Sequence, residues 1–576
     1  MKNTNVIDGS LKLPAGFLAI AMLGLAIAGA VLNYSPAPHW DMWDTIVWSV
    51  FRIQEGDYSF LWAQHNEHRI FLGRIIFWID YKIFGGLNIF LVILNYLLIG
   101  IASYIFWLHA RRICIEQSIN IEKAYGLILF IIACLFLWTQ EENLISGSQS
   151  LFFLVHLLPL VALYWLSKSS ESSSWLDFSV ACIFAALSVG TLANGTLVFP
   201  LMFIYSLVMR QGLIKSTLLL IFSIAVMSLY FHDYRTPGHH PSLSDTIIND
   251  PVGMVHYTAH YLGSPFYYLF GRGVYAEAAA TLLGGIFIAV SVLISYRQIF
   301  TDRKSAVVLA LVFFVAYIGG TAFGTSGGRL GFEGDGLSGA LGLEQAFSSR
   351  YTTPAIMGWV ALMLTIFGSF ADLIGKAKNL LVFLFSSISV LMLGYQFNAL
   401  ENRDHVISKR ELTMLALELG IKDSNFIEST FWSYDFLLKI VAGAKTHGIS
   451  VFGTYPYLNL KQKLGSYYEF TGTSVCLGNL EGVEPIEGVT DYARVSGWLF
   501  DSKTESSPKL IKFIDQRGII VGFALTGTPR EDLKRIMHRK AGLSGFRGYV
   551  QRSVAAPPLK AIGDNQNCLL DFSRLR

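Results

Sequence analysis

The stretch LNIFLVILNYLLIGIASYIFWL, residues 87–108, decides the fold class of this chain. It has no charged side chain, and as a helix it is long enough to cross the roughly 30 Å hydrocarbon core of a bilayer. Similar apolar stretches recur until about residue 397 and then stop. We therefore predict an all-α polytopic membrane domain of about eleven transmembrane helices. They centre on residues 13–34, 87–108, 124–138, 151–166, 176–192, 196–209, 213–231, 278–294, 306–323, 355–371 and 380–397.

The composition agrees with a membrane protein. Of the 576 residues, 53% are hydrophobic and only 15% are charged, and the mean hydropathy is +0.47. Soluble domains carry about 25% charged residues, so an ordinary cytosolic enzyme is excluded. The formal net charge of +3 gives no support to a nucleic-acid partner. The chain has no P-loop, no HExxH and no paired CxxC motif, which argues against an ATP-driven pump or a zinc protease.

The basic residues of short loops predict the orientation, because Lys and Arg concentrate on the cytoplasmic side of a membrane. A cytoplasmic N-terminus places Arg111, Lys168, Arg210 and Arg297 all on that side. These basic residues share one side only if residues 70–84 do not cross the membrane. This segment is apolar but short, and we predict that it forms a helix at the outer interface. An odd number of spans then leaves the C-terminal region outside.

The last third of the chain has the composition of a soluble region with helices and a β-rich, β-sandwich-like domain. Amphipathic helices are predicted over 403–419 and 433–446. Residues 493–500, 509–514 and 519–524 are rich in β-branched and aromatic residues and predict strands, with a turn at 515–518. We expect three parts, which are a transmembrane domain over 1–398, a helical outer-face region over 399–465 and a β-rich extracytoplasmic domain over 466–576.

The first outer loop contains two carboxylates, Asp41 and Asp44, three residues apart. On a helix they would share one face, and such a pair can act as a general base, as metal ligands or as both. The alternative is that one of them N-caps the helix that follows.

The same loop continues with His65, Glu67, His68 and Arg69. These side chains either belong to the site or form a surface ion-pair cluster near the lipid headgroups. Two polar clusters in one outer loop favour a functional site.

Two further outer positions carry polar residues next to spans. Glu141, Glu142 and Asn143 lie at the junction of two spans, where carboxylates normally face a cavity or a partner. Arg350 and Tyr351 directly precede a late span. An outer Arg runs against the positive-inside bias and suits a phosphate at headgroup height. The alternatives are a water-exposed loop for the carboxylates and a snorkelling Arg350.

Together these features resemble the GT-C superfamily of polyprenyl-phosphate-dependent glycosyltransferases. The resemblance rests on an early acidic motif, an interfacial helix, many spans, a late Arg and an outer C-terminal domain. More closely, QHNEHRI at 64–70, QEEN at 140–143 with GSQ at 147–149, and SRYTTP at 349–354 look like segments of bacterial polytopic membrane proteins.

The resemblance implies transfer of a sugar from a polyprenyl-phosphate carrier to a cell-envelope glycan or lipid acceptor, at the outer face of the bacterial inner membrane. Asp41 is the expected base, and Asp44 would orient the acceptor or share a metal. Arg350 would hold the donor phosphate. The residues expected to assist it are Arg69, His65 and His68, and those expected to orient substrate are Glu67, Glu141, Glu142, Asn143 and Tyr351. No cofactor is required, and the dependence on a divalent metal stays open.

Two other classes of function remain open. A transporter or flippase for a lipid-linked glycan would show intramembrane charges and repeated halves, but the spans are nearly free of charge and no duplication is visible. A membrane acyltransferase or head-group transferase could use the His65 and His68 cluster with an Asp.

Cys476 and Cys568 bracket the β-rich segment and are the two cysteines outside the membrane part. Because the predicted compartment is oxidising, we expect a disulfide between them; two buried thiols are the alternative.

Overall fold

The computed structural model describes residues 12–238, 242–300, 304–331, 342–370, 378–470, 474–554, 559–564 and 568–572. The chain divides into two compact units. The first, here called the helical unit, comprises Met1–Leu32, Leu61–Ile76 and Phe90–Glu401. The second, the mixed unit, comprises Asn33–Phe60, Phe77–Ile89 and Asn402–Arg576.

The helical unit contains all the helices that are long and apolar enough to cross a membrane. In the described part of the chain these nine are Lys12–Leu32, Ile89–Glu116, Tyr125–Ile145, Gly147–Ser172, Leu213–Phe231, Val274–Phe300, Ala306–Arg329, Ser349–Ser369 and Val382–Leu400, and two shorter apolar helices are Trp175–Val189 and Ala193–Val208. Each predicted apolar stretch overlaps one of these eleven. The multi-pass helical character is confirmed, whereas the number of spans and the orientation remain predictions.

The α-helices up to the start of the C-terminal region are numbered in chain order. They are α1 Lys12–Leu32, α2 Ser49–Gln54, α3 Phe71–Phe84, α4 Ile89–Glu116, α5 Tyr125–Leu135, α6 Glu141–Ile145, α7 Ser150–Ser172, α8 Trp175–Val189, α9 Val198–Val208, α10 Leu213–Phe231, α11 Leu243–Asn249, α12 Pro251–Leu269, α13 Val274–Phe300, α14 Ala306–Arg329, α15 Ser349–Ser369 and α16 Lys378–Gln396.

Helix α12 lies in a segment that the sequence analysis did not assign to a span. Small residues let it approach α13 closely. A Cβ added at Gly263 would come within 1.9 Å of the Ala280 carbonyl oxygen, and one added at Gly284 within 1.9 Å of the Ala259 oxygen. Any larger side chain at either glycine would force these two helices apart.

The C-terminal part of the mixed unit begins with short helices and ends with strands. The helices are α17 Asp404–Leu419, α18 Ser424–Ile427, α19 Tyr434–His447, α20 Leu460–Lys463 and α21 Glu531–Ile536. The two amphipathic helices predicted over 403–419 and 433–446 are therefore confirmed. The buried faces of both include Leu412, Leu415, Leu437 and Ile440.

The β-rich region forms one sheet rather than two packed sheets. Strands β1 Gln64–His65 and β2 His68–Arg69 belong to an early hairpin of the helical unit. The strands of the sheet are β3 Ser474–Val475, β4 Leu477–Ile486, β5 Val489–Phe500, β6 Leu510–Ile514, β7 Ile520–Thr528, β8 Gly545–Gln551, β9 Lys560–Gly563 and β10 Cys568–Asp571, and their order is β3-β10-β9-β6-β7-β8-β5-β4. The three predicted strands are confirmed. The sandwich is wrong because this sheet curls into a half-barrel.

The curling follows from the strand order. Strands β3 and β4 lie at opposite ends of that order, yet only Cys476 separates them in sequence. One bent stretch of chain therefore contributes to both edges of the sheet. At this bend Cys476 is joined to Cys568 of β10 by a disulfide, with the two Cα atoms 5.0 Å apart. This is the pairing that the sequence analysis expected.

The first part of the chain also contributes to the mixed unit, which the division at residue 398 did not include. The backbone N–H of Trp40 donates to the Thr430 carbonyl oxygen at 2.7 Å. The Trp43 ring lies 6.4 Å from that of Phe452. The residues that bear the two early carboxylates are thus packed against the C-terminal region.

Candidate functional site

The predicted site residues fall into both units. Asp41 and Asp44 belong to the mixed unit. All the predicted phosphate-binding and orienting residues belong to the helical unit, namely His65, Glu67, His68, Arg69, Glu141, Glu142, Asn143, Arg350 and Tyr351.

The carboxylate pair lies at the start of a π-helical turn, Trp43–Trp48, that continues into α2. Met42 occupies the N-cap position of this turn and makes no side-chain capping bond. Neither carboxylate is the N-cap residue, so the capping alternative does not explain them. Asp41 is exposed, whereas Asp44 is only partly exposed.

The two carboxylates have different environments. The Oδ1 atom of Asp44 is buried and has no hydrogen bond within the described part of the chain. Burial, and secondly the charge of Asp41, raise the pKa of Asp44 to about 8. Asp44 therefore keeps its proton at neutral pH. A pair of carboxylates in which the environment holds one of them protonated can divide the roles of acid and base.

His39 and Arg410 lie close enough to interact electrostatically in the same unit. Burial, and then the Arg410 charge, lower the pKa of His39 to about 3, so its imidazole stays neutral. Burial, and then Arg403, lower the pKa of Arg410 to about 10. A cationic group thus lies near the start of the carboxylate segment. Sequence reasoning missed Arg410 because it is far from His39 along the chain.

Residues 64–69 form a two-stranded hairpin of β1 Gln64–His65 and β2 His68–Arg69. His65 and His68 face each other in the register, and Asn66, with a φ of 46°, occupies the turn with Glu67. Asn tolerates this left-handed backbone better than most residues, which explains a two-residue turn here. The hairpin places the two histidines opposite each other, and their role in a site stays a prediction.

Arg69 anchors this hairpin and is 7% exposed. Its guanidinium donates three hydrogen bonds to backbone carbonyls, from Nε to Tyr230 at 2.8 Å, from Nη1 to Trp62 at 2.9 Å and from Nη2 to His232 at 2.5 Å. Arg69 therefore stabilises the surrounding backbone. This geometry does not present the planar fork of Arg69 to a phosphate.

Glu67 pairs with an arginine that the sequence analysis did not single out. Its Oε1 atom lies 3.1 Å from Nη2 of Arg329, at the end of α14. The imidazole Nδ1 of His68 accepts a hydrogen bond from the Ala193 N–H at 3.2 Å. The signal for Arg329 was available, because it is an Arg at the predicted outer end of a span, like Arg350.

Arg350 lies at the start of α15, beside α6. Its Nη1 atom is 3.9 Å from Oε1 of Glu142, and both side chains are partly exposed. The Asn143 amide donates to the Arg350 carbonyl oxygen at 2.8 Å and to Thr353 Oγ1 at 2.7 Å. Asn143 thus fixes the backbone of the first turn that presents Arg350. Glu141 lies in the first turn of α6 with Glu142.

Tyrosines surround the same helix start. The Tyr351 ring stacks on Tyr261 with centroids 5.0 Å apart. The Tyr257 hydroxyl is buried without a hydrogen bond to any described residue. Tyr257 interacts electrostatically with Arg329 and Arg350, so two guanidinium groups lie near this hydroxyl.

An apolar cleft of about 590 Å³ lies between the helices of the same unit. Apart from two serines its wall is apolar, and on α15 it extends from Ile356 to Phe367, about 16 Å at 1.5 Å per residue. Arg350 is six residues before Ile356, about 9 Å along the helix axis. Leu137 lines the cleft shortly before Glu142 in sequence. The cleft therefore ends near a charged pair.

Within the described residues, no group of three or more His, Cys, Asp and Glu side chains is arranged to hold a metal ion. Comparisons of the chain with protein-family models, with curated proteins and with solved structures found no match.

Proposed function

We propose that this protein is an integral membrane glycosyltransferase that moves a sugar from a polyprenyl-phosphate carrier to a cell-envelope glycan or lipid acceptor. The single observation that carries the proposal is the apolar cleft with the Arg350–Glu142 pair near one end. An elongated apolar wall suits a hydrocarbon chain, and an arginine near its end suits a lipid phosphate.

In this reaction a base takes the proton of the acceptor hydroxyl as its oxygen attacks the sugar. The bond between the sugar and the carrier phosphate breaks, and the phosphate leaves with the bonding electrons. Arg350 stabilises the charge that develops on that phosphate. Asp41 is the proposed base because the family resemblance implies it and its side chain is exposed, whereas burial raises the pKa of Asp44 to about 8.

Two substitutions on one helix test the role of the cleft. Ser389 lines the cleft, and the neighbouring Val390 is 72% exposed and does not. Ser389→Phe should fill the cleft and weaken the apparent affinity for a polyprenyl-phosphate sugar, whereas Val390→Phe should leave it unchanged. Equal affinities in both variants would remove the cleft from donor binding.

A thin-layer assay with a radiolabelled sugar on its carrier separates this function from the alternatives. Transfer predicts loss of the label from the lipid in proteoliposomes that contain acceptor. A flippase moves the intact donor between leaflets without cleaving it, and an acyltransferase leaves the sugar on its carrier. An intact donor after incubation with every acceptor fraction of the envelope would contradict the proposal.

A further inference from the structure

A second polar site lies in the mixed unit, in a small internal cavity of about 10 Å³. That volume fits one sphere the size of a water molecule. Its apolar wall includes Met42, Ile46 and Val50. Asp80, Asn88 and Ser450 supply polar groups to the wall, together with Tyr81, whose hydroxyl donates to the His447 carbonyl oxygen at 2.8 Å.

The three polar residues are almost completely buried. Their exposed fractions are 1% for Asp80, 4% for Asn88 and 3% for Ser450. Both carboxylate oxygens of Asp80, the amide oxygen of Asn88 and the hydroxyl of Ser450 lack a hydrogen bond of normal geometry to any described residue, and the one protein group that interacts with the Asp80 carboxylate as a donor among those described is the backbone N–H of Asn88. A buried polar atom without a partner costs about 1–3 kcal/mol, and a charged one costs more. Four such oxygens at one cavity call for a ligand.

The backbone holds two of these oxygens at the cavity. Asn88 and Ser450 both have left-handed backbones, with φ values of 65° and 58°. Such a conformation is uncommon for a residue other than glycine and persists where the surrounding structure enforces it. Next to the cavity, the Tyr34 hydroxyl donates to the Leu87 carbonyl oxygen at 2.7 Å, which fixes the chain before Asn88.

The chemistry of the oxygens selects the ligand. Carboxylate, amide and hydroxyl oxygens are ligands for hard cations. Three of the four oxygens can only accept hydrogen bonds when Asp80 is ionised, and a water molecule has two protons to donate. One carboxylate balances one positive charge, so a monovalent ion leaves no net charge buried in the cavity. The volume fits an ion no larger than a water molecule.

We propose that this cavity binds Na⁺ through Asp80, Asn88 and Ser450. The ion connects three segments of the mixed unit, because Asp80 belongs to α3, Asn88 to the turn after it and Ser450 to the C-terminal region. Binding therefore stabilises the packing of the early segments against the C-terminal region. Met42, between Asp41 and Asp44, lines the cavity, but neither carboxylate does, so binding of the ion does not require the proposed transfer reaction.

Thermal unfolding of the full chain in lipid nanodiscs tests this site. Melting in NaCl is compared with melting in N-methylglucamine chloride at equal ionic strength. Above half-saturation, each tenfold increase in Na⁺ should raise the Tm of the transition that unfolds the mixed unit by about 3 °C. Asp80→Asn keeps the size of the side chain, removes the buried charge and should abolish this rise. Coincident melting curves for the wild-type chain in the two salts would show that the cavity holds only water and would overturn the proposal.

The matched control is Asp57→Asn in the same unit. The Asp57 carboxylate pairs with Arg52 and accepts a hydrogen bond from Ser59 at 2.6 Å, so it is not part of the cavity. This variant should keep the full response to Na⁺. A Na⁺ response that survives in Asp80→Asn, or that disappears in Asp57→Asn, contradicts the assignment.

Ser450→Ala provides a second variant in case Asp80→Asn does not fold. Loss of one ligand should raise the Na⁺ concentration at half-saturation several-fold. Hydrogen exchange supplies a local measurement, since Na⁺ should slow exchange in peptides that cover residues 77–89 and 447–452. Unchanged half-saturation together with unchanged exchange would refute the site. Stronger stabilisation by Ca²⁺ than by Na⁺ would overturn the choice of a monovalent ion.

Discussion

The hairpin that bears Arg69 and the helix start that bears Arg350 belong to the same unit, and both arginines were predicted to hold a phosphate. The structure gives them different surroundings. Arg69 is buried and donates to three backbone carbonyls, whereas Arg350 is partly exposed and has Glu142 at 3.9 Å. The comparison teaches that the backbone acceptors around an arginine, rather than its position in a loop, distinguish a head group that supports backbone from one that is partly exposed.

Arg69→Met should have the largest effect on stability. The buried Tyr230 carbonyl would lose its donor at about 1–3 kcal/mol, and the part-buried Trp62 and His232 carbonyls would each lose a hydrogen bond worth about 0.5–1.5 kcal/mol, so we expect a loss of about 2–6 kcal/mol. Thermal unfolding in nanodiscs measures it. Arg350→Met is the matched control and should cost much less, because its head group is partly exposed. Equal losses of stability in the two variants would contradict the different roles assigned to the two arginines.

Asp41→Asn tests the carboxylate pair, in which Asp41 is exposed and Asp44 is only partly exposed. An amide cannot take the acceptor proton, so transfer should fall by at least about 100-fold while the protein still folds. The rate of label transfer from the lipid carrier measures the effect. Asp57→Asn is again the matched control, and it should retain the wild-type rate. Near-normal turnover of Asp41→Asn would remove Asp41 from the mechanism.

Arg350→Lys keeps the charge but loses the planar fork. Apparent affinity for the polyprenyl-phosphate donor should fall by about tenfold, because an ammonium group cannot make bidentate contacts with phosphate. Initial rates across a donor titration give this number. Arg69→Lys should lower Tm and should leave the apparent affinity for the donor nearly unchanged. If donor affinity is unchanged in Arg350→Lys, Arg350 is a snorkelling arginine and does not bind the donor phosphate.

The pH dependence of stability tests the buried environment of Asp44. The pKa of Asp44 is about 8 in the folded chain and near 3.8 when unfolded. As pH rises from about 4 to about 8, the unfolded chain loses this proton first, so the folded state loses stability. Asp44→Asn should therefore unfold at a temperature a few degrees higher than the wild-type chain at pH 9. The difference should vanish near pH 4. Parallel curves of Tm against pH would show that Asp44 ionises normally.

Much of the fold could be predicted because local patterns specify it. Charge-free apolar stretches predict helices wherever they occur, and the helix Asp404–Leu419 and the strands from Val489 onward follow their periodicity. The single curled sheet could not be predicted, since it depends on a parallel pairing between Ser474–Val475 and Cys568–Asp571. Periodicity within a strand does not reveal which distant strand lies beside it.

The candidate site was predictable by residue type but not by environment. The sequence indicated Arg350 from its position at a predicted outer end, and Arg329 satisfies the same criterion. It could not indicate that Arg69 meets the carbonyls of Tyr230 and His232, because those lie about 160 residues away. Burial of Asp44 likewise depends on packing that forms only in the folded unit.

The membership of residues 33–60 in the mixed unit has a consequence for biosynthesis. Trp43 and Val50 are fully buried there, and Trp40 is bonded to Thr430. A ribosome that adds about 5–20 residues per second needs about 20–80 s to proceed from Trp40 to Thr430. During that interval the newly made acidic loop has no C-terminal region to pack against. The cell must keep this nascent segment from aggregation or cleavage, and a chain that stops early would leave Asp41 and Asp44 on an unfolded loop.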